Sequence, residues 1–356
     1  MTTAANLPKT YKAVSIPAPN GAWEIVTQEL RAPAPDEVLI RVHASGICYS
    51  DHFAKLGGWP GMKFPCVTGH EVVGRVAGVG AGLSSKDREG RYKLGALVGV
   101  GWNGGYCGRC EPCRTGNAFM CKEGQVTGFT FDGGHAEYMY APETAVVSIP
   151  EEALQKASYA ELAPLLCGGI TVFDAIRTAP WKPGDLCLVQ GIGGLGHLGI
   201  QYASKLGLKV IAVSSGSSKK SLALSLGASE YIDASATDVV SYVKSLGGAR
   251  LVLCTAPYSQ SISNIIPAVG LNGTVTLVSA AVDGKIQVDN VVLNMSRAAL
   301  RGWCCGCSPD TEQCVKFSTL SDVKSIVKEF PLEEYPNAYD AVMANKARFR
   351  NVIVFP

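Results

Sequence analysis

LCLVQGIGGLGHLGI, residues 186–200, decides the fold. LCLVQG at 186–191 reads as a short buried strand, and residues 195–207 read as a helix. The turn between them, Gly191, Ile192, Gly193, Gly194, Leu195 and Gly196, has the spacing G-x-G-x-x-G. Glycines there let backbone amides and a helix N-terminus come up to a pyrophosphate. The spacing alone is weak, and a tight turn with no ligand is the other reading. Its place directly after a strand and at the opening of a helix is what gives it meaning.

Working outward, KVIAVSS at 209–215 is a second strand, SKKSLALSLGA at 218–228 a second helix, and EYIDA at 230–234 a third strand. ARLVLCTA at 249–256 and GTVTLVSA at 273–280 follow. Alternating strands and helices imply a doubly wound parallel sheet. NAD-binding chains usually carry an acidic residue at the end of the second strand. This chain has Ser214, Ser215 and Gly216 there, with Lys219 and Lys220 just beyond. Small hydroxyls plus a cation accept a 2′-phosphate, so NADP(H) is favoured over NAD(H). The alternative is that the two lysines only begin a solvated helix face.

Before about residue 155 the texture differs. EVLIRVHA at 37–44 and EVVGRVAGVG at 71–80 alternate like half-buried strands, and Gly and Pro punctuate the rest. After about 300 the pattern is mixed and ends in the strand-like NVIVFP, which predicts a return of the C-terminus to the first domain. The expected domains are 1–158 with 300–356, β-rich, and 159–299, dinucleotide-binding. A chain of 356 residues suits two cores, and 47% hydrophobic against 17% charged residues describes a well-buried globular protein. A net charge of +2 with scattered lysines and arginines argues against nucleic acid or a membrane surface as a partner. There is no secretory signal pattern at the start and no run of about 18 apolar residues. A soluble, cytoplasmic protein is the expectation, and in that compartment clustered cysteines are metal ligands more often than disulfides.

CGRCEPCRTGNAFMC, residues 107–121, places Cys107, Cys110, Cys113 and Cys121 at gaps of two, two and seven. Four thiolates make a closed tetrahedral zinc shell with no position for substrate, so this site is structural; reduced surface thiols are the plain alternative. Three further segments offer ligands: GICYSD with Cys48, TGHEVVG with His70 and Glu71, and APLLCGG with Cys167. Two thiolates and an imidazole with a place left open make a catalytic zinc arrangement, although each residue alone would be unremarked filler.

GHEVVG at 69–74, the cysteine lobe, CGGITVFDAI at 167–176 and GIGGLG occur in the order found in one family. The whole chain resembles the zinc-dependent medium-chain alcohol dehydrogenases, in particular their NADP-preferring cinnamyl- and aldehyde-reductase-like branch. The resemblance implies a GroES-like catalytic domain interrupted by a Rossmann domain, two zinc ions per chain, and a homodimer or homotetramer. It implies that Cys48, His70 and Cys167 bind the catalytic zinc, that Glu71 approaches it when water is displaced, and that Asp51 orients His70. Ser50 is then the hydroxyl that passes the proton. Trp102 lines the substrate pocket, with Trp59, Tyr49 and Phe53 as neighbours. Thr171 packs near the nicotinamide, a core threonine being the alternative, and Arg350 meets the cofactor phosphates. Zinc that lowers an alcohol's pKa as it lowers water's, from about 15.7 to about 7, would stabilise an alkoxide by on the order of 10 kcal/mol.

The chain also departs from that family. Phe53 stands where many relatives end the proton relay with a histidine, and His52 lies one place earlier. Ala96 replaces an aspartate, SSKDREGRYK at 84–93 looks like a longer loop, and His135 replaces an aromatic often found in relatives and reads as a packing residue. Cys304, Cys305, Cys307, Cys66, Cys187, Cys254 and Cys314 read as small packing residues. The leading expectation is an NADP(H)-dependent zinc alcohol dehydrogenase working mainly as an aldehyde reductase. Reduction of an iminium or conjugated C=C bond on the same scaffold, and a non-catalytic nucleotide sensor, are the competing readings.

Overall fold

The computed structural model describes residues 2–3, 7–83 and 90–356, so most of the loop read at 84–93 lies outside the described residues. The chain divides into two compact units, Thr171–Cys304 and Met1–Ile170 with Cys305–Pro356.

The first unit is a six-stranded parallel sheet. Its order across the sheet is Glu230–Asp233, Lys209–Ser214, Leu186–Gln190, Ala249–Cys254, Val269–Leu277 and Ala299–Gly302. In chain order that is 3-2-1-4-5-6, the doubly wound arrangement, with the change of direction between the first and fourth strands. Parallel strands carry helices on both faces, which is why they are apolar throughout. Leu188, Ile211, Val213, Val252, Cys254 and Val275 are all buried in one core. The two helices expected from the sequence run Gly196–Lys205 and Lys220–Ser225. The fifth strand starts four residues earlier than its pattern indicated, because the pairing slips between Ala249 and Leu251. Asp238 and Asp289 cap two further helices by accepting from Ser241 N and Val291 N.

The second unit contains an eight-stranded sheet in which Glu37–Gly46 and Val72–Val79 are central and antiparallel. The C-terminal strand Arg350–Val354 pairs with the first of these, Val352 facing Gly46, so the chain does return here. A smaller sheet joins Glu24–Glu29, Thr10–Ile16 and Cys66–Val67. The helical texture that begins near residue 155 belongs to this unit as far as Ile170. The reason is packing: Tyr159 stacks on His43 at 4.5 Å and accepts from Arg75 Nε at 2.8 Å. The join therefore falls inside the helix Gly168–Arg177, twelve residues beyond the expected boundary at 158, and the other join falls after Cys304. Cys66, Cys187, Cys254, Cys305, Cys307 and Cys314 are buried as expected, whereas Cys304 is exposed.

Candidate active site

Each ligand-bearing residue sits at the end of an element. Cys48 follows the strand Glu37–Gly46, and Gly46 N and Ile47 N are tied to Glu71 O and Asn351 O, each at 2.9 Å. His70 and Glu71 immediately precede the strand Val72–Val79. Cys167 ends the tight turn Ala163–Leu166. One ligand atom from each of Cys48, His70, Glu71 and Cys167 lies within 4.8 Å of every other.

Cys48 Sγ and Cys167 Sγ are 3.9 Å apart. Two sulfurs at the usual ~2.3 Å from a tetrahedral zinc lie roughly 3.8 Å from each other, so this spacing fits a shared ion. It is far beyond a disulfide, for which the sulfurs would be at about 2.05 Å. Ser50 Oγ lies 3.1 Å from Cys48 Sγ and 3.2 Å from His70 Nε2, on the same side as the ligand atoms. His70, Glu71 and Asp51 are completely buried. Asp51 Oδ2 accepts from Cys48 N at 2.9 Å, and Oδ1 stands 3.6 Å from His70 Nδ1. One carboxylate thus addresses two ligand residues.

The electrostatics belong to a site built for a cation. Hydrogen bonding from Cys167 drives the Cys48 thiol well below its ordinary range, helped by His70, while Cys48 pushes the Cys167 thiol well up. A divalent ion bound between them would favour the thiolate form of both. Burial opposes a charge on His70, yet Asp51, Cys48 and Glu71 together raise it to about 9. Burial raises Glu71 to about 7, against the pull of Arg350, whose guanidinium hydrogen-bonds Glu71 Oε1. Glu71 Oε2 is buried with no hydrogen-bond partner.

In the lobe, Cys107, Cys110, Cys113 and Cys121 also bring their sulfurs within 4.8 Å of one another. Cys110 Sγ is 3.5 Å from Cys113 Sγ and 3.8 Å from Cys121 Sγ. Backbone amides donate to the sulfurs, Cys107 N to Cys121 Sγ at 3.2 Å and Cys110 N to Cys107 Sγ at 3.4 Å, as thiolates require.

In the other unit the glycine-rich turn leaves the end of the strand Leu186–Gln190, at the change of direction in the sheet. Gly191 has φ +89°, and a Cβ on Gly196 would lie 1.9 Å from Gly191 O, so both positions require glycine. At Gly193 nothing stands within 4 Å of the position a Cβ would take, which leaves the backbone bare on that side. Ile192 O accepts from Lys219 Nζ at 2.9 Å. Ser214 is half-buried and Ser215 exposed, and Gly216 N donates to Asp233 Oδ1 at 2.8 Å. Thr171 is buried.

Residues 34–151 match the model of the alcohol dehydrogenase GroES-like domain, and residues 194–319 that of the zinc-binding dehydrogenases. The alcohol dehydrogenase patD of Penicillium expansum is 39% identical over 98% of this chain and 99% of that protein. The chain belongs to the zinc-binding medium-chain alcohol dehydrogenases. The alcohol dehydrogenase notN of an Aspergillus species is 36% identical over 98% of this chain and 99% of its own. Among solved structures, a cinnamyl alcohol dehydrogenase of Sorghum bicolor matches with a TM-score of 0.84 and 26% identity, over 97% of this chain and 98% of that one. An enzyme from Helicobacter pylori, described as CAD complexed with NADP(H), gives 0.83 and 25% over the same shares. The enzyme is a nicotinamide-dependent oxidoreductase of alcohol and aldehyde pairs.

Within this dehydrogenase, Trp102 meets His70 edge-on with ring centres 5.0 Å apart, and Trp59 meets Trp102 at 5.8 Å. Phe129, which the sequence did not single out, completes the wall at 5.0 Å from Trp102 and 5.6 Å from Trp59. Phe53 packs against the same cluster, and Tyr49 is exposed. His52 Nδ1 lies 2.7 Å from Tyr339 OH, a partner from the far end of the chain. Arg350 is buried with its guanidinium on Glu71. Asp233, which accepts from Gly216 N in the Ser214–Gly216 turn, was also missed, because it comes from the neighbouring strand opposite Ser214.

Proposed function

We propose that the enzyme works chiefly as an NADPH-dependent aldehyde reductase with two zinc ions per chain, a catalytic one held by Cys48, His70 and Cys167 and a structural one held by Cys107, Cys110, Cys113 and Cys121. The observation that carries the reading is the 3.9 Å pair of sulfurs beside the buried imidazole. Zinc supplies a Lewis acid for the substrate oxygen and the reduced nicotinamide supplies the hydride.

The chain's own residues do the rest. The Ser50 hydroxyl, among the ligand atoms, hands a proton to the nascent alcohol oxygen and takes one in the reverse direction. Asp51 orients His70, and Glu71, held at one oxygen by Arg350, keeps its other oxygen unpartnered close to the ligands. Trp102, Trp59 and Phe129 form an apolar wall that suits an aromatic or medium-sized aldehyde and keeps water from the oxygen. Gly191, Ile192, Gly193, Gly194, Leu195 and Gly196 cradle the pyrophosphate. Ser214, Ser215 and Lys219 receive the 2′-phosphate, and Asp233 has its Oδ1 engaged by Gly216 N and Ser235. A reducing compartment such as the cytoplasm suits two sets of free thiolates. The edge strand Ala299–Gly302, with exposed Val282, Val291 and Met295 in the same unit, supports assembly into dimers or tetramers, readable by light scattering.

The test pairs metal content with turnover. The wild type is expected to carry two zinc ions and to oxidise NADPH faster than NADH across a panel of aldehydes. Cys167→Ser is expected to carry one ion and to lose about 10³-fold or more in kcat, since a Lewis acid supplies several kcal/mol. Full activity with one ion, or reduction of imines and enals but no aldehyde, contradicts the reading.

A further inference from the structure

A second buried histidine stands behind the first. The segment 133–135 runs beside 67–69: Gly133 N donates to Val67 O at 2.7 Å, Gly134 N to Gly69 O at 2.9 Å and His135 N to Thr68 O at 3.0 Å. These bonds seat the fully buried His135 ring against the turn that carries His70. Gly69 makes room for it: its φ is +103°, and a Cβ there would lie 2.7 Å from His135 Nδ1. On the other side, Tyr335 packs against the ring at 4.8 Å.

The polar contacts of that ring are specific. Ser45 Oγ is 2.9 Å from His135 Nδ1, and a serine hydroxyl donating there leaves Nε2 as the ring's N–H. His135 Nε2 stands 3.5 Å from Asp51 Oδ2, while His70 Nδ1 stands 3.6 Å from Asp51 Oδ1. Both separations are just beyond hydrogen-bond length. His135 Nε2, His70 Nδ1 and Asp51 Oδ1 are all buried with no other hydrogen-bond partner. Buried polar groups are satisfied in folded proteins, and a closure of about 0.5 Å on each side does so here. The Asp51 carboxylate lies between two imidazoles, of which one faces the other ligand atoms.

We propose that His135 is a positioning residue for the catalytic zinc, its Nε2–H holding the Asp51 carboxylate that orients His70. The aromatic ring expected at this position would pack equally well and hold nothing. The inference rests on the zinc ligation proposed above. Outer partners of zinc-bound histidines typically contribute 10–100-fold in metal affinity, and His135, acting through Asp51, falls at about the low end.

The test is retention of zinc by the holoenzyme under titration with a competing chelator, read as ions per chain together with the melting temperature. His135→Phe keeps the ring and removes the donor, His135→Leu is a second donor-free variant, and His135→Gln keeps an N–H. The donor-free variants are expected to release one of two ions at about 10-fold lower chelator strength. The lobe ion should stay at its wild-type threshold, and His135→Gln should restore most of the difference. Unchanged retention in the donor-free variants overturns the inference. So does equal loss in His135→Gln, because packing alone would then explain the effect. A wild-type chain that holds only the lobe ion overturns the zinc reading, and this inference with it.

Discussion

Cys48 and Cys187 are the same side chain in opposite circumstances. Burial in an apolar sheet pushes Cys187 and Cys254 up to about 12, which makes them inert filler. Cys48, half-buried, is driven the other way by Cys167 and His70. Polar neighbours separate the ligand from the packing residue. Ser50 is read by the same logic, since its hydroxyl has thiol and imidazole partners and no ordinary loop role. Ser50→Ala is expected to keep both zinc ions and to lower kcat by about 10²–10⁴-fold, the range for a positioned proton-transfer group. Steady-state kinetics with metal analysis checks this, and an unchanged kcat would remove Ser50 from proton transfer.

At the scale of elements, the glycine turn works because a strand ends, a helix begins and the fourth strand braces the junction. Thr255 Oγ1 donates to Gln190 O and Gly191 O, both at 2.9 Å, so the turn is held before any cofactor arrives. Ser215, exposed just after the neighbouring strand, belongs to the proposed 2′-phosphate site. Ser215→Asp is expected to shift the NADPH-to-NADH ratio of kcat/KM by about 10–100-fold towards NADH, like charges in contact being worth a few kcal/mol. A ratio that does not move would place the 2′-phosphate elsewhere. This turn and the cysteine lobe were legible in the sequence because their chemistry is local: spacing along the chain sets what the backbone can do. Cys48, His70 and Cys167 were legible only as a set, through the order of their motifs. Phe129, Asp233 and the contact of His135 with Asp51 were not, because their partners lie on other strands and loops. The compact unit extends to residue 170, beyond the expected boundary at 158, because Tyr159 is tied to His43 and Arg75, which no periodicity reveals.

For the whole molecule, the two sites divide the labour. The lobe offers little apolar core of its own, and its helix Glu111–Arg114 and turn Ala118–Met120 bury no residue, so the proposed lobe ion would supply the cross-link that packing does not. Cys110→Ser is expected to lower the melting temperature by several degrees while the remaining folded enzyme keeps its catalytic ion and most of its kcat. Calorimetry with metal analysis checks this, and loss of activity at full stability would assign the lobe a part in the chemistry. Among the described residues no single helix is long and apolar enough to cross a membrane. The central claim is that two sulfurs and an imidazole from three separate segments grip one electrophilic ion. Anomalous scattering recorded from crystals at the zinc absorption edge tests it most directly. Two peaks per chain are expected, one of them at about 2.0–2.3 Å from Cys48 Sγ, Cys167 Sγ and His70 Nε2 together. A peak in the cysteine lobe alone would contradict it.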